Sequence, residues 1–102
     1  MRAMVINGTG APEVFEPAEI PMPVKLGSEL LVRVVTASIN PIDAKTRAGK
    51  GASAGIPGYP AVLGHDFSGV VVESPFEFCP LQPGDEVFGM VPVPRYQGSF
   101  AE

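Results

Sequence analysis

Apolar residues come in short runs along this chain, and Gly or Pro ends nearly every run. Arg2 to Ile6 (RAMVI) reads as a first strand, followed by Asn7-Gly8, a dipeptide suited to a hairpin turn. Val14 to Ile20 reads as a second strand, with Glu16, Ala18 and Ile20 in alternation. Pro17 inside it cannot donate to a ladder, which predicts an edge position. Pro21 and Pro23 then force an extended link, and Leu26-Gly27-Ser28 makes a turn. Glu29 to Ser38 holds the longest run of β-formers, interrupted only by Arg33, and predicts a strand covered on both faces.

A helix-start signal follows at once. Asn40 can accept from the orphaned amides of a first turn, Pro41 has no amide to lose at the first helical position, and Asp43 complements the positive end of the dipole. These signals predict a helix over 41–48, ended by Gly49 in a left-handed conformation. Lys50 to Gly58 is expected as a mobile loop of small residues. Tyr59 and Pro60 lead into Ala61-Val62-Leu63 and then Gly64-His65-Asp66. Phe67 to Glu73 and Glu86 to Met90 read as further strands around an irregular stretch (74–81) and a Pro83-Gly84-Asp85 turn. Val91 to Gln97 is a Pro-broken loop, and Gly98 onward opens a sixth strand. Short strands, frequent turns and one short helix predict a mainly β (α+β) fold, an irregular small barrel or sandwich.

Composition narrows the function classes. The chain has 102 residues, enough for one domain, and its 12 Gly and 12 Pro act as turn punctuation among plentiful Val, Leu, Ile and Phe. Net charge −4, with no basic stripe, argues against a nucleic-acid partner. No run approaches a membrane span, and the N-terminus lacks a signal-peptide pattern, so a cytoplasmic protein without membrane partners is expected. Cys79 is the only cysteine, which excludes an internal disulfide and a multi-cysteine metal cage. Gly98-Ser99-Phe100-Ala101-Glu102 resembles a strand cut short, which leads us to expect a piece of a longer protein.

Candidate chemistry is sparse. Gly49-Lys50-Gly51 lacks the upstream glycine and the following Ser or Thr of a P-loop; Ala44 and Gly51 stand there. Gly8-Thr9-Gly10 runs into Pro12 and Glu13, which bars a dinucleotide-binding turn. His65 and Asp66 could form a proton-relay or metal-supporting pair, or simply a turn histidine bonded to backbone. One histidine is short of a catalytic zinc's three ligands. Asn40 and Asp43 are explained by capping alone, Lys45 and Arg47 by a solvated helix face, Tyr59 by packing, and Cys79 by a small buried group.

Five segments, in order, resemble the N-terminal catalytic domain of the medium-chain dehydrogenase/reductase superfamily. They are MRAMVINGTGAPEVFE (1–16), ASINPIDAKTRAG (37–49), YPAVLGHDFSGVV (59–71), LQPGDEVFG (81–89) and GSFAE (98–102), and the first NPID stretch looks like the quinone oxidoreductase branch. The resemblance implies a GroES-like fold, a distorted, partly open β-barrel with one or two short helices spanning 1–102. It also implies a Rossmann domain, absent from this chain, that binds most of an NADP(H) or NAD(H) cofactor, so the fragment alone is expected to be inactive.

Residue roles follow by the same resemblance. Asn40, Asp43, His65 and Asp66 fall on the catalytic side, and Pro41, Ile42 and Lys45 at the nicotinamide end of the cofactor. In zinc-dependent members the place of Asn40 holds a cysteine ligand and that of His65 the second ligand, usually followed by Glu where this chain has Asp66. Pro75 stands where the zinc signature has a small residue, and the four-cysteine lobe after the fifth strand is missing. The expectation is a zinc-independent reductase acting on a carbonyl, quinone or enone, homodimeric at full length, with Asn40 orienting substrate or nicotinamide. Lys45 stands where that branch often has Tyr. Two other readings stay open: a zinc alcohol dehydrogenase with altered ligands, and a stand-alone GroES-like binding module such as a co-chaperonin subunit.

Overall fold

A computed structural model describes residues 1–91 and 98–102. Its strands are β1 (Arg2–Ile6), β2 (Phe15–Glu19), β3 (Leu31–Ser38), β4 (Ala61–Val62), β5 (Asp66–Glu73) and β6 (Glu86–Met90), with one helix, α1 (Pro41–Arg47), and two single-turn 3-10 segments at Pro12–Val14 and Ser53–Gly55. They form two three-stranded antiparallel sheets, ordered β2-β1-β4 and β3-β5-β6. The sheets do not close into a barrel.

The first sheet carries the core. Ala3, Val5 and Val62 pack as one buried group and Ile6, Ala61 and Leu63 as another, with Phe100 against both. Phe15 meets the Phe100 ring edge-on at 6.2 Å. Between the inner faces of the sheets lies an apolar cleft of about 730 Å³, walled by Val5 and Val62 on one side and Val32, Val34, Phe67 and Val87 on the other. Residues 98–102 bond along the first sheet. Gly98 and Phe100 donate to the carbonyls of Val62 and Leu63, and Met4 and Glu102 bond across to Phe100 and Arg2.

Several sequence expectations hold. Pro17 does lie on an edge strand, because β2 pairs only with β1. Glu86–Met90 is a strand with the expected bounds, and Gly49 ends the helix at φ +93. Others need correction. Asn7-Gly8 is not a two-residue hairpin turn, since Ile6 pairs with Phe15 and the connection runs over 7–14 through the 3-10 turn that Pro12 begins. The strand expected from Glu29 starts at Leu31, and its second half is exposed rather than covered on both faces. Its outward face meets no second layer among the described residues, and Val35 is 59% exposed.

Further corrections concern small elements. Ala61–Val62 pairs with β1, a strand too short for any periodicity to reveal. The expected sixth strand is reduced to a single bridge between Ala3 and Ala101. Lys50 to Gly58 contains a bonded 3-10 turn, with Ser53, Gly55 and Ile56 donating to carbonyls three residues back. Tyr59 is exposed rather than packed, and Cys79 is only half-buried. The Pro-broken loop proposed over 91–97 lies outside the described residues from 92 on.

Gly69 decides how closely β3 and β5 approach. It pairs with Val34 beside a bulge, and a Cβ there would fall on the Arg33 carbonyl oxygen and 2.8 Å from Val32 Cγ1. Both neighbours belong to a strand fixed by its ladder, so neither can yield cheaply. Gly69→Ala is therefore expected to destabilise the fold by roughly 1–3 kcal/mol, seen as a lower urea midpoint with an unchanged m value. An unchanged midpoint would contradict the close approach.

Candidate functional site

The sequence Ser38-Ile39-Asn40-Pro41 ends a strand and starts a helix within a few residues, and this junction builds the site. Pro41 opens α1 at its first position, where a missing N–H costs nothing. Asp43 Oδ2 accepts from the Asn40 N–H at 2.9 Å, closing the acidic half of a capping box. The Asn40 side chain faces the Asp43 amide as the other half requires, although that amide's 2.9 Å bond goes to the Asn40 carbonyl.

Asp43 does more than cap. It is 2% exposed, and its second oxygen, Oδ1, accepts from the Gly64 N–H at 3.1 Å. A buried carboxylate is costly unless hydrogen-bonded, and each bond from a backbone amide to a charged acceptor contributes about 1.5–3 kcal/mol. One side chain thus ties the helix start to the chain just before β5. Gly64 has φ +97, and a Cβ there would strike Ser99 Oγ and lie 2.6 Å from Phe100 Cδ1. Only glycine turns the chain here so that its amide meets Asp43.

Asp66, half-buried at the start of β5, completes the arrangement. Its Oδ2 accepts from Asn40 Nδ2 at 2.8 Å and from Ser38 Oγ at 3.1 Å, and Asn40 Nδ2 also lies 3.3 Å from Ser38 Oγ. The register explains the meeting, since Ser38 and Asp66 are Cα partners across β3 and β5. One step along, Thr36 Oγ1 and Ser68 Oγ are 2.5 Å apart. Hydrogen bonds therefore run from Gly64 through Asp43 and Asn40 to Asp66, and the backbone through His65 joins the two ends.

His65 is not the backbone-bonded turn histidine expected as the simpler reading. Its residue is 4% exposed and its Nδ1 is buried with no partner among the described residues. The other predicted residues lie on the first turns of α1, Ile42 half-buried, Pro41 and Lys45 exposed. The Lys45 carbonyl accepts from the Lys50 N–H at 2.8 Å, while its ammonium has no hydrogen bond or ion pair among the described residues. Arg47, in contrast, is no free surface cation: Nη1 donates to the Gly10 carbonyl at 2.5 Å.

Ser38 and Gly64 are site residues that inspection of the sequence missed. Ser38 sits two positions after Thr36, a period-2 polar pair at a strand end, but its partner is set by a register that the sequence does not display. Asp43→Ala is expected to lower stability by roughly 2–4 kcal/mol, because it leaves the Gly64 and Asn40 amides without their acceptor. Chemical unfolding of this variant beside Asp43→Asn, which retains one acceptor oxygen, checks it. Equal losses for the two would count against the double anchoring.

Comparison with known proteins agrees with this fold. Residues 21–100 match the alcohol dehydrogenase GroES-like domain. The whole chain is 39% identical to part of a cattle protein, NAD(P)H oxidoreductase RTN4IP1, mitochondrial (Bos taurus), and covers 29% of it. It is 36% identical to the NADPH-dependent alkenal/one oxidoreductase, chloroplastic, of Arabidopsis thaliana, covering 28% of that protein. The solved quinone oxidoreductase of Coxiella burnetii superposes on the whole chain with a TM-score of 0.92 at 35% identity, the chain covering 33% of it. The chain thus spans about a third or less of the length of the relatives it matches. With its two open antiparallel sheets and capped helix, it belongs to the medium-chain dehydrogenase/reductase superfamily, through the alcohol dehydrogenase GroES-like domain.

Proposed function

We propose that this chain is the N-terminal catalytic domain of a longer, zinc-independent NAD(P)H-dependent reductase that delivers hydride to a quinone or to an alkene conjugated with a carbonyl. The observation that carries the reading is the Asn40 amide, locked at the helix start by Asp43 and Asp66 and half-exposed on the rim. The names of the cattle, Arabidopsis and Coxiella relatives support a reductase over a stand-alone binding module.

The rim fits the nicotinamide end of a dinucleotide. Exposed Pro41 and half-buried Ile42 offer an apolar edge to a ring, and Lys45 offers an exposed ammonium to a hydroxyl or anionic group. When bound, a reduced nicotinamide supplies the hydride. Asn40, whose Nδ2 donates to Asp66 and to Ser38 Oγ, would turn its second hydrogen from Ser38 to the substrate oxygen on which negative charge develops. Asp43 holds that donor's backbone still.

The donor set does not fit a catalytic zinc. An amide stands at residue 40 and points its nitrogen at Asp66, and both Asp43 oxygens accept from backbone amides. Metal-independent turnover is therefore part of the proposal.

Cellular placement is a separate matter. No helix among the described residues is long and apolar enough to cross a membrane. The cattle relative is named mitochondrial and the Arabidopsis relative chloroplastic, so the cytoplasm is one of the compartments that fractionation must distinguish. A homodimer at full length belongs to the same proposal.

The full-length protein is expected to oxidise NADPH or NADH with menadione or methyl vinyl ketone as acceptor, at a rate unaffected by prior chelation, and to carry no stoichiometric zinc on elemental analysis. Asn40→Ala should lower kcat by roughly 100-fold. Absence of turnover with both acceptors would sink the reductase reading, and stoichiometric zinc lost with His65→Ala would replace it with a metal-dependent one.

A further inference from the structure

We propose that Asp66 is the positioning residue for Asn40, fixing which end of its amide faces the ligand. The proposal rests on the reductase reading above and adds a role that the circuit of hydrogen bonds assigns to a carboxylate outside direct substrate contact.

An asparagine amide has two nearly isosteric ends, one a donor of two hydrogens and the other an acceptor, and its neighbours select the orientation. Around Asn40 the selection is made by charge. Asp66 Oδ2 is a pure acceptor 2.8 Å from Nδ2, so the nitrogen must point toward β5 and the carbonyl oxygen toward the start of α1. Ser38 reinforces this by donating to the same oxygen at 3.1 Å, which keeps the carboxylate from rotating away. The reversed amide would set two acceptors against each other.

One Nδ2 hydrogen is committed to Asp66. The second is donated to Ser38 Oγ at 3.3 Å, the longer of the two bonds, and is the one a substrate oxygen would take over from Ser38. A hydrogen bond to a carboxylate is the stronger, charge-assisted kind and holds the donor in one geometry. Asp66 itself has a free second oxygen among the described residues, and Met90 is its partner on the neighbouring strand β6, 66% exposed. The polar pair is thus bordered by an apolar side chain on the same face, as a site for a largely apolar carbonyl compound requires.

The test is a double-variant cycle in the full-length enzyme, with NADPH and menadione or methyl vinyl ketone. Asp66→Ala is expected to lower kcat by at least tenfold with the KM for NADPH unchanged. Asp66→Asn, which keeps an acceptor oxygen for Asn40, should return kcat to within about threefold of the wild type. The variant carrying both Asn40→Ala and Asp66→Ala should be no slower than Asn40→Ala alone, because the two residues act as one unit. Far-ultraviolet circular dichroism and melting curves verify folding. If Asp66→Ala does not fold, Ser38→Ala and Asp66→Asn carry the cycle, with Ser38→Ala expected to lose kcat only when Asn40 is present.

Independent, multiplying losses at residues 40 and 66, or wild-type kcat in Asp66→Ala, would overturn the proposal while leaving the reductase reading intact. Wild-type kcat in Asn40→Ala would instead remove the role given to Asn40, and the positioning role with it.

Discussion

A buried carboxylate on the first turn of a seven-residue helix holds the two parts of the site together. Asp43 has one oxygen on the amide that precedes the helix and the other on Gly64, in the segment that joins the two sheets. A helix this short has little stability of its own. It persists here because its start is bonded to a strand junction rather than because its sequence favours helix. The constraint also runs the other way: Gly64 can offer its amide only because its backbone is left-handed and unobstructed by a side chain.

From that anchor the rest of the site follows geometrically. The helix start fixes Asn40, and the β3–β5 register brings Ser38 and Asp66 opposite one another. The Asn40 amide then closes the circuit onto Asp66. Each component is weak alone. Together they hold one amide in one orientation at the edge of a sheet, with the exposed ammonium of Lys45 farther along the same helix. A domain built this way supplies positioned polar groups and leaves the demanding redox chemistry to a cofactor, which is how the reductase reading divides the work.

The second sheet shows the same division at a larger scale. Val32, Val34, Phe67 and Val87 line the cleft together with the more exposed Phe88 and Met90, and Thr36, Ser38, Asp66 and Ser68 add a polar row. The first sheet is different: Val5, Ile6, Ala61 and Leu63 are almost wholly buried and are locked by residues 98–102. Stability is concentrated in the first sheet, and the polar network lies at the start of β5, next to it in sequence. A rigid support beside an open face suits a binding rim.

The amino-acid sequence by itself determined the elements with strong local causes. Asn40, Pro41, Asp43 and Gly49 encode a helix start and stop within one turn of chain each. Pro17 encodes an edge strand, and the Glu86–Met90 run is bounded by its own turns. The ordered segments around NPID and GHD carried the family. Tertiary structure alone decided that Asp43 bridges to Gly64, that Ser38 meets Asp66, that His65 is buried with a nitrogen unpartnered among the described residues, and that Ala61–Val62 is a strand at all. Each of these depends on contacts between residues distant along the chain, through a register or a close backbone approach, and neither propensity nor periodicity records such contacts. The exposed half of β3 has the same origin, because a run of β-formers fixes the strand but not what lies on either side of it.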